Sequence, residues 1–214
     1  MAEYDKELGN SVANYLAEQG IETPFDGSHH DQELVRLRFL DIMRDGLSLN
    51  LKDDSLKETP HRVAKMYCDE IFTGLDYSKF PKCTTIENKM GMDEMVMVRN
   101  ADVLSVCEHH FVPFIGKAFV GYIPGTKVLG LSKINRIVDF FSRRPQVQER
   151  LTLQIYEALC LILNTKDIAV VIKADHLCVR LRGIKQESNT ITSKMGGKFM
   201  DKPALRQEFL ELMR

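Results

Sequence analysis

The sequence has almost no net charge and no long apolar run. Its 29 lysines and arginines balance 30 acidic residues, which gives a formal charge of −1. No overall field therefore directs the chain to nucleic acid or to an anionic membrane, and any anion site must be a local basic cluster. The apolar runs fall well short of the roughly 20 residues that a membrane-spanning helix needs. The acidic start, residues 1–5, also lacks the basic and apolar regions of a signal peptide. We therefore expect no nucleic-acid partner and no membrane partner.

Cysteine is scarce as well. The five cysteines are an odd number at irregular spacing, which argues against the disulfide framework of a secreted protein. We therefore expect a cytoplasmic chain whose reduced thiols are available to a metal. The sequence contains no internal repeat and no low-complexity tract. Its 214 residues are enough to bury a core, either as one large domain or as a main domain with a smaller appendage.

Two short segments combine thiols with imidazoles: Cys-Glu-His-His at 107–110 and His-Leu-Cys at 176–178. Zinc prefers thiolate and imidazole ligands in a tetrahedral shell, and a catalytic zinc keeps one position open. Three residues would supply such a shell: Cys107, His110 and Cys178. Two imidazoles, His109 and His176, would then remain beside the metal, where they can move protons near neutral pH.

Other interpretations of these segments are open at this point. A buried cysteine often packs as a small hydrophobic residue without binding anything. A structural zinc site would have four protein ligands, and His109 or His176 would be the fourth. His29 and His30 also resemble metal ligands in isolation, but they lie in a polar loop, which favours solvated side chains.

The first part of the chain is predicted to be helical. Apolar residues recur at helical spacing over residues 3–19 and 31–45. Thr59 and Pro60 form a typical helix start, with a hydroxyl N-cap followed by proline, and this helix should end at Gly74. Residues 1–80 are therefore read as mostly helical.

From about residue 84 the pattern changes to that of strands. Strands are predicted over residues 84–88, 95–98, 103–112 and 117–123, with the last two joined by a turn at 113–116. Strand periodicity would place Cys107 and His110 on opposite faces of a sheet. For both to reach one ion the backbone must bend, so we predict a non-ideal strand end at residues 107–110.

The last third of the chain is predicted to contain two helices, a long strand and a closing helix. The helices cover residues 131–142 and 146–163, and the strand covers residues 168–182. Alternation along such a strand would put His176, Cys178 and Arg182 on one face. After a polar stretch, an amphipathic helix around residues 205–213 ends the chain.

Three sets of polar residues are candidates for an anion or a base. Ser132, Lys133 and Arg136 lie in the first turns of the predicted helix 131–142, where free N–H groups favour a phosphate. An ordinary solvated face is the alternative there. The same alternative is favoured for the basic residues after Pro60, and Glu149 beside Gln148 also suits a plain helix start.

Five motifs closely resemble type I GTP cyclohydrolases. They are Glu-Thr-Pro-His-Arg-Val-Ala-Lys-Met-Tyr at 58–67, Ser-Val-Cys-Glu-His-His-Phe at 105–111, Gly-Leu-Ser-Lys-Ile-Asn-Arg at 130–136, Arg-Pro-Gln-Val-Gln-Glu-Arg-Leu at 144–151 and His-Leu-Cys-Val at 176–179. They occur in the family's order, and the resemblance extends over nearly the whole chain from about residue 30. It is least specific in the polar stretch around residues 188–193.

The resemblance implies an α+β architecture. N-terminal helices, residues 1–80, would precede a catalytic tunnelling-fold (T-fold) domain, residues 81–214, in which two helices pack on one face of an antiparallel sheet. The family forms a toroidal homodecamer with active sites shared between neighbouring chains. Its members hydrolyse GTP at C8 of the guanine ring, release formate and form 7,8-dihydroneopterin triphosphate, the first step of folate and pterin biosynthesis.

The resemblance also implies roles for individual residues. Zinc (Zn2+) would be held by Cys107, His110 and Cys178, with His109 and His176 as the acid and base. Glu149 would recognise guanine, with Gln148 beside it. The ribose-triphosphate end would be bound by Ser132, Lys133, Arg136 and Arg182. Two further cations would come from an adjacent chain, Arg62 and Lys65.

The same fold also supports a different class of enzyme. A pterin or deazapurine enzyme without metal-bound water would use Cys107 as a nucleophile, but it would not need the second thiol, Cys178. A purely structural zinc site, in turn, would not need the cluster of Lys133, Arg136 and Arg182. We therefore favour the zinc-dependent hydrolase.

Overall fold

The computed structural model describes residues 3–27 and 30–214, so that His29 lies outside the described part. The N-terminal region is helical as predicted, with α1 at Lys6–Glu18, α2 at Gln32–Asp41 and α3 at Thr59–Lys65. Aspartate side chains cap α1 and α2, because Asp5 and Asp31 each accept a backbone N–H at 2.9 Å. Short π-helical segments extend α2 and α3, at Ile42–Gly46 and Met66–Ile71.

The predicted start of α3 was displaced by one residue. Glu58 is the N-cap, Thr59 already lies in the helix, and Pro60 occupies its first turn. The proline still explains the start, because its ring fixes a helical φ and its missing N–H has no intrahelical partner there. The hydroxyl cap, however, is not formed, since no side chain caps this helix.

The remainder of the chain is built around a five-stranded sheet. The strands are β1 at Thr85–Glu87, β2 at Val96–Cys107, β3 at Pro113–Tyr122, β4 at Lys127–Leu129, β5 at Pro145–Gln146, β6 at Ile168–His176 and β7 at Asn189–Met195. The large sheet has the order β5-β2-β3-β6-β7, and all its pairings are antiparallel except that of β5 with β2. β1 and β4 form a separate antiparallel pair.

Two long helices cover one face of this sheet. They are α4 at Leu131–Ser142 and α5 at Gln148–Leu163. Their apolar stripes enclose the main core with the inward side chains of β2, β3 and β6. On the opposite face, α7 at Lys198–Asp201 and α8 at Pro203–Leu212 pack Phe199 and Phe209 against the sheet. The predicted α+β fold, an antiparallel sheet with two helices on one face, is confirmed. Within the described ranges, no helix has both the length and the apolar character to cross a bilayer.

The predicted position of the β2–β3 turn was wrong. The turn occupies residues 108–112, and the Pro-Phe-Ile-Gly stretch at 113–116 begins β3. Gly116 is needed for close packing rather than for a turn, because a Cβ there would lie 2.3 Å from the carbonyl oxygen of Lys173. Pro113 is tolerated because it is the first residue of its strand.

The predicted strand over residues 168–182 was also wrong in its second half. β6 ends at His176, and a short helix, α6 at Leu177–Arg180, follows. The neighbouring β3 explains this, because its pairing with β6 begins at Phe114, opposite His176. Beyond that point the backbone has no sheet partner, and a helical turn satisfies its hydrogen bonds locally. The alternation argument for Cys178 and Arg182 therefore does not hold.

Candidate metal centre

Three ligand atoms converge where β2 and β6 end. Cys107 is the last residue of β2, His110 lies in the following turn and Cys178 lies in α6. One ligand atom from each lies within 4.8 Å of the other two. A tetrahedral zinc with Zn–S near 2.3 Å and Zn–N near 2.0–2.1 Å needs its ligands roughly 3.5–3.8 Å apart. The observed cluster is therefore close to the required geometry and can bind a metal.

The turn after β2 lets two of these ligands face one point. The backbone N–H groups of Cys107 and Phe111 donate to Val112 and Cys107, at 2.9 and 2.8 Å. Phe111 takes a left-handed φ of 53°, which is uncommon for a residue with a Cβ. The predicted non-ideal strand end at residues 107–110 is confirmed, and it brings His110 back towards Cys107.

Both thiols of the cluster are buried, and the environment of Cys178 favours its protonated form. Cys107 and Cys178 are 6% and 9% exposed. Burial, together with the hydrogen bond and the charge of Cys107, raises the pKa of the Cys178 thiol. A bound cation would reverse this effect, because it stabilises thiolates and displaces their protons.

His176 is held in a fixed orientation beside this cluster. Its ring stacks on Phe114 with centroids 4.8 Å apart, and its Nε2 lies 2.8 Å from Oε1 of Gln148. The amide nitrogen of Gln148 donates to the carbonyl oxygens of Ile172 and Thr190 at 3.0 and 3.1 Å. Because the nitrogen faces these carbonyls, the oxygen faces His176, whose Nε2 must be the donor. Burial lowers the pKa of His176, and the nearby carboxylate of Glu149 opposes this.

Other predicted residues also surround the cluster. Nδ1 of the exposed His109 lies 3.8 Å from Sγ of Cys107. Arg182 is exposed, and its Nη1 donates to Nε2 of His110 at 2.6 Å. Among the described residues, neither His109 nor His176 belongs to the group of three converging ligand atoms.

The predicted phosphate-binding residues of α4 do not lie with this cluster. Ser132, Lys133 and Arg136 are in the first turns of α4, whose N-cap, Gly130, has no side-chain cap. Arg136 lines two cavities of about 700 and 510 Å³, and neither cavity includes any of the three converging ligands.

The basic residues of α3 are also separate. Arg62 and Lys65 are exposed, and Arg62 donates to the backbone oxygen of Ser55 at 2.8 Å. Within one chain, therefore, the three converging ligands and most of the predicted anion-binding residues lie at different places on the structure.

Several features of the site were not predicted from the sequence. An apolar cavity of about 620 Å³ next to His110 is lined by aromatic residues that include Tyr67, Phe72 and Phe111. Glu108, the first residue of the turn, forms an ion pair with Arg150 of α5. These contacts join residues that are far apart in the chain. The sequence did not predict them, because isolated charged or aromatic residues do not indicate which residue they contact.

Comparison with known proteins identifies the family. The model of the GTP cyclohydrolase I family matches residues 39–214. A GTP cyclohydrolase 1 of Serratia proteamaculans is 56% identical over 93% of this chain and 92% of its own length. One of Aeromonas hydrophila is 55% identical over 91% of each chain. A solved dihydroneopterin aldolase from Burkholderia thailendensis, bound to guanine, is 11% identical over 51% of this chain and 97% of its own, with a TM-score of only 0.34. The chain belongs to the GTP cyclohydrolase I family of hydrolases.

Proposed function

We propose that this chain hydrolyses GTP at C8 of the guanine ring, releases formate and forms 7,8-dihydroneopterin triphosphate. In this proposal it carries out the first step of folate and pterin biosynthesis in the cytoplasm. The observation that carries the proposal is the convergence of Cys107, His110 and Cys178 to within 4.8 Å, in a chain of this family.

Zinc is the ion that fits the three ligands. Two thiols and an imidazole are donors that zinc favours, and three protein ligands leave a fourth position for water, as in catalytic sites. When bound, zinc lowers the pKa of water in that position to about 7. The exposed side of the cluster, at His110, gives a substrate access to it.

We assign the proton transfers to His109 and His176. Carbon 8 is a poor electrophile until the adjacent purine nitrogen is protonated, and an imidazole can supply that proton. Because Nε2 of His176 donates to Gln148, the neutral ring has its free lone pair on Nδ1. Nδ1 is therefore the atom that takes up and returns a proton. His109 is exposed beside Cys107, where it can reach a substrate over the metal.

We propose that Glu149 recognises the guanine ring. It is exposed in the first turn of α5 and close enough to His176 to affect its pKa. Gln148 is 1% exposed, and its amide is bonded within the protein. A direct contact between Gln148 and substrate would require one of these bonds to break, so we propose that Gln148 contributes to substrate binding by orienting His176.

The triphosphate site is proposed to be shared between chains. Arg182 lies at the metal centre, next to His110. The first turns of α4 supply the other phosphate-binding residues, Ser132, Lys133 and Arg136, while Arg62 and Lys65 add charge from an adjacent chain. Because the two cavities that Arg136 lines include none of the three converging ligands of the same chain, we infer that assembly completes the site. A toroidal homodecamer, as the family resemblance implies, would complete it, with residues 81–214 forming the catalytic domain and residues 1–80 a helical region.

An assay with GTP tests the proposal and both alternatives. The purified protein should release formate and yield a pterin that fluoresces after oxidation, and a chelator should abolish both products until zinc is restored. Tightly bound zinc without formate release would indicate a structural metal site. Turnover that survives removal of all metal would instead favour a Cys107 nucleophile.

A further inference from the structure

Glu108 lies in the turn between the proposed ligand Cys107 and His109, yet it is not one of the converging ligands. Its carboxylate pairs with Arg150 of α5, and the two side chains are 26% and 14% exposed. Among the ion pairs of the described ranges, this is the only one in which both side chains are less than 30% exposed. The backbone N–H of Glu108 also donates to the carbonyl oxygen of Gln146 at 3.0 Å.

A directional series of hydrogen bonds leads to this ion pair. The amide nitrogen of Gln154 donates to the backbone oxygen of Ile21 at 2.7 Å, so its oxygen faces Gln146. The amide nitrogen of Gln146 donates to that oxygen at 2.8 Å and to the backbone oxygen of Phe141 at 3.0 Å. Its own oxygen must therefore face Arg150, and it accepts from Nε at 3.1 Å.

The order of hydrogen-bond donors and acceptors determines which side chain is compatible with position 108. Gln146 and Gln154 are fully buried, so that reversing either amide would leave donors facing donors. Arg150 is thus held with its Nη2 directed towards the turn, where it donates to Glu108. The series ends on a donor, and only an acceptor, preferably an anion, matches it.

We propose that Glu108 and Arg150 are positioning residues that hold the metal-binding turn in the conformation in which Cys107 and His110 face one ion. This proposal rests on the proposed metal site. Phe111 of the turn packs against Tyr67 and Phe72, but the two histidines of the turn, His109 and His110, are exposed, so packing around their side chains does little to restrain them. Mutation of residues that hold metal ligands in position typically weakens metal binding by about 10- to 100-fold.

Competition for zinc with a chromophoric chelator tests this proposal on the full-length protein. Glu108→Gln and Arg150→Met should each weaken zinc binding by roughly 10- to 100-fold. Arg150→Lys should show a smaller loss, because an ammonium group keeps the charge but cannot bridge Gln146 and Glu108 as the guanidinium does. Arg143→Met is the matched control: it breaks the Arg143–Asp139 pair of α4 and should leave zinc affinity within about two-fold of wild type.

Two further measurements separate positioning from general stability. The metal-free variants should remain folded at the assay temperature and keep the particle mass of wild type, and the absorption of the cobalt-substituted protein should change. The double variant Glu108→Gln with Arg150→Met should lose less affinity than the two single losses combined.

Several outcomes would overturn the inference. Wild-type zinc affinity in both Glu108→Gln and Arg150→Met would do so, as would a loss of affinity that unfolded protein fully explains in both variants. A wild-type chain that binds no zinc would overturn the proposed function together with the inference. Zinc binding by wild type with unchanged affinity in the variants would overturn the inference alone.

Discussion

At the scale of single residues, Cys178 is the proposed ligand that depends most on the structure around it. It comes from α6, far along the chain from Cys107, and its position relies on β6 ending at His176. Replacing Cys178 by serine removes a thiolate from the proposed shell. We expect Cys178→Ser to lose zinc and turnover together, by more than the roughly 10- to 100-fold effect of an outer contact. Metal content measured beside formate release checks this, and stoichiometric zinc in the variant would contradict the ligand assignment.

His176 is expected to behave differently from Cys178. His176→Ala should keep its zinc but lose about 10²- to 10⁴-fold in turnover, the usual contribution of a general acid or base. The ring should also act as a base at pH values below its ordinary range, because burial lowers the pKa of His176. Turnover measured against pH, with metal content as the control, checks both statements. Near-normal turnover of the alanine variant would exclude an essential proton transfer.

The sequence predicted the three converging residues but not the groups that hold them. Cysteine and histidine are uncommon types whose spacing indicates a metal even before the fold is known. Glu108 and Arg150 are of types that are usually solvated, and their meeting depends on where β5 and α5 lie. Gln146 and Gln154 gave no signal for the same reason.

At the scale of helices and strands, hydrophobic periodicity correctly predicted those elements whose apolar side is covered by a neighbouring element. The helix at residues 131–142 was predicted with the bounds of α4 because its apolar residues from Ile134 to Phe141 are buried in the main core. The strand predicted over 168–182 failed because alternation in sequence does not reveal where the neighbouring strand stops. The prediction of a turn at 113–116 was wrong because Pro113 begins a strand, and because Gly116 allows close contact with the neighbouring strand.

Gly116 provides a test of this explanation. Gly116→Ala should destabilise the protein by about 1–3 kcal/mol, since the new Cβ would meet Lys173 and Ala174 at 2.3 and 2.6 Å. Gly125→Ala is the matched control, because nothing lies within 4 Å of its added Cβ. Thermal unfolding of the two variants checks the difference. Equal unfolding temperatures would show that Gly116 is not required for close packing of β3 and β6.

At the scale of the whole molecule, the metal-ligand group and the α4 cations define a test of assembly. Cys178→Ser and Arg136→Ala should each be nearly inactive alone. Suppose that each site combines α4 of one chain with the metal centre of another. Unfolding the two variants and refolding them together in equal amounts should then restore about a quarter of wild-type turnover, because about a quarter of the sites are intact under random mixing. Each variant refolded alone is the control. No recovery in the mixture would show that both groups serve a site within one chain.

The overall architecture was predictable because helical and strand spacing follow one another in a clear order along the sequence. Helical spacing gives way to strand spacing near residue 84, and the two apolar helices that follow can be buried only on a sheet. The assignment of residues 1–80 and 81–214 to separate regions stays a prediction. What the sequence could not give is the placement of α4 relative to the metal centre, because this depends on the order of the strands between them.

The convergence of β2 and α6 has a consequence for the lifetime of the protein. In the proposed site, an ion bound by Cys107 and Cys178 would cross-link distant parts of the backbone and hold α6 in place. Immediately after α6 the chain is exposed throughout residues 181–190, where Leu181 and Ile184 are more than 70% accessible. Loss of the ion would free this segment, which contains Arg182 and Lys185, to enter the active site of a trypsin-like protease. Metal starvation would thus shorten the half-life of the chain by cleavage at a defined place, before the core itself unfolds.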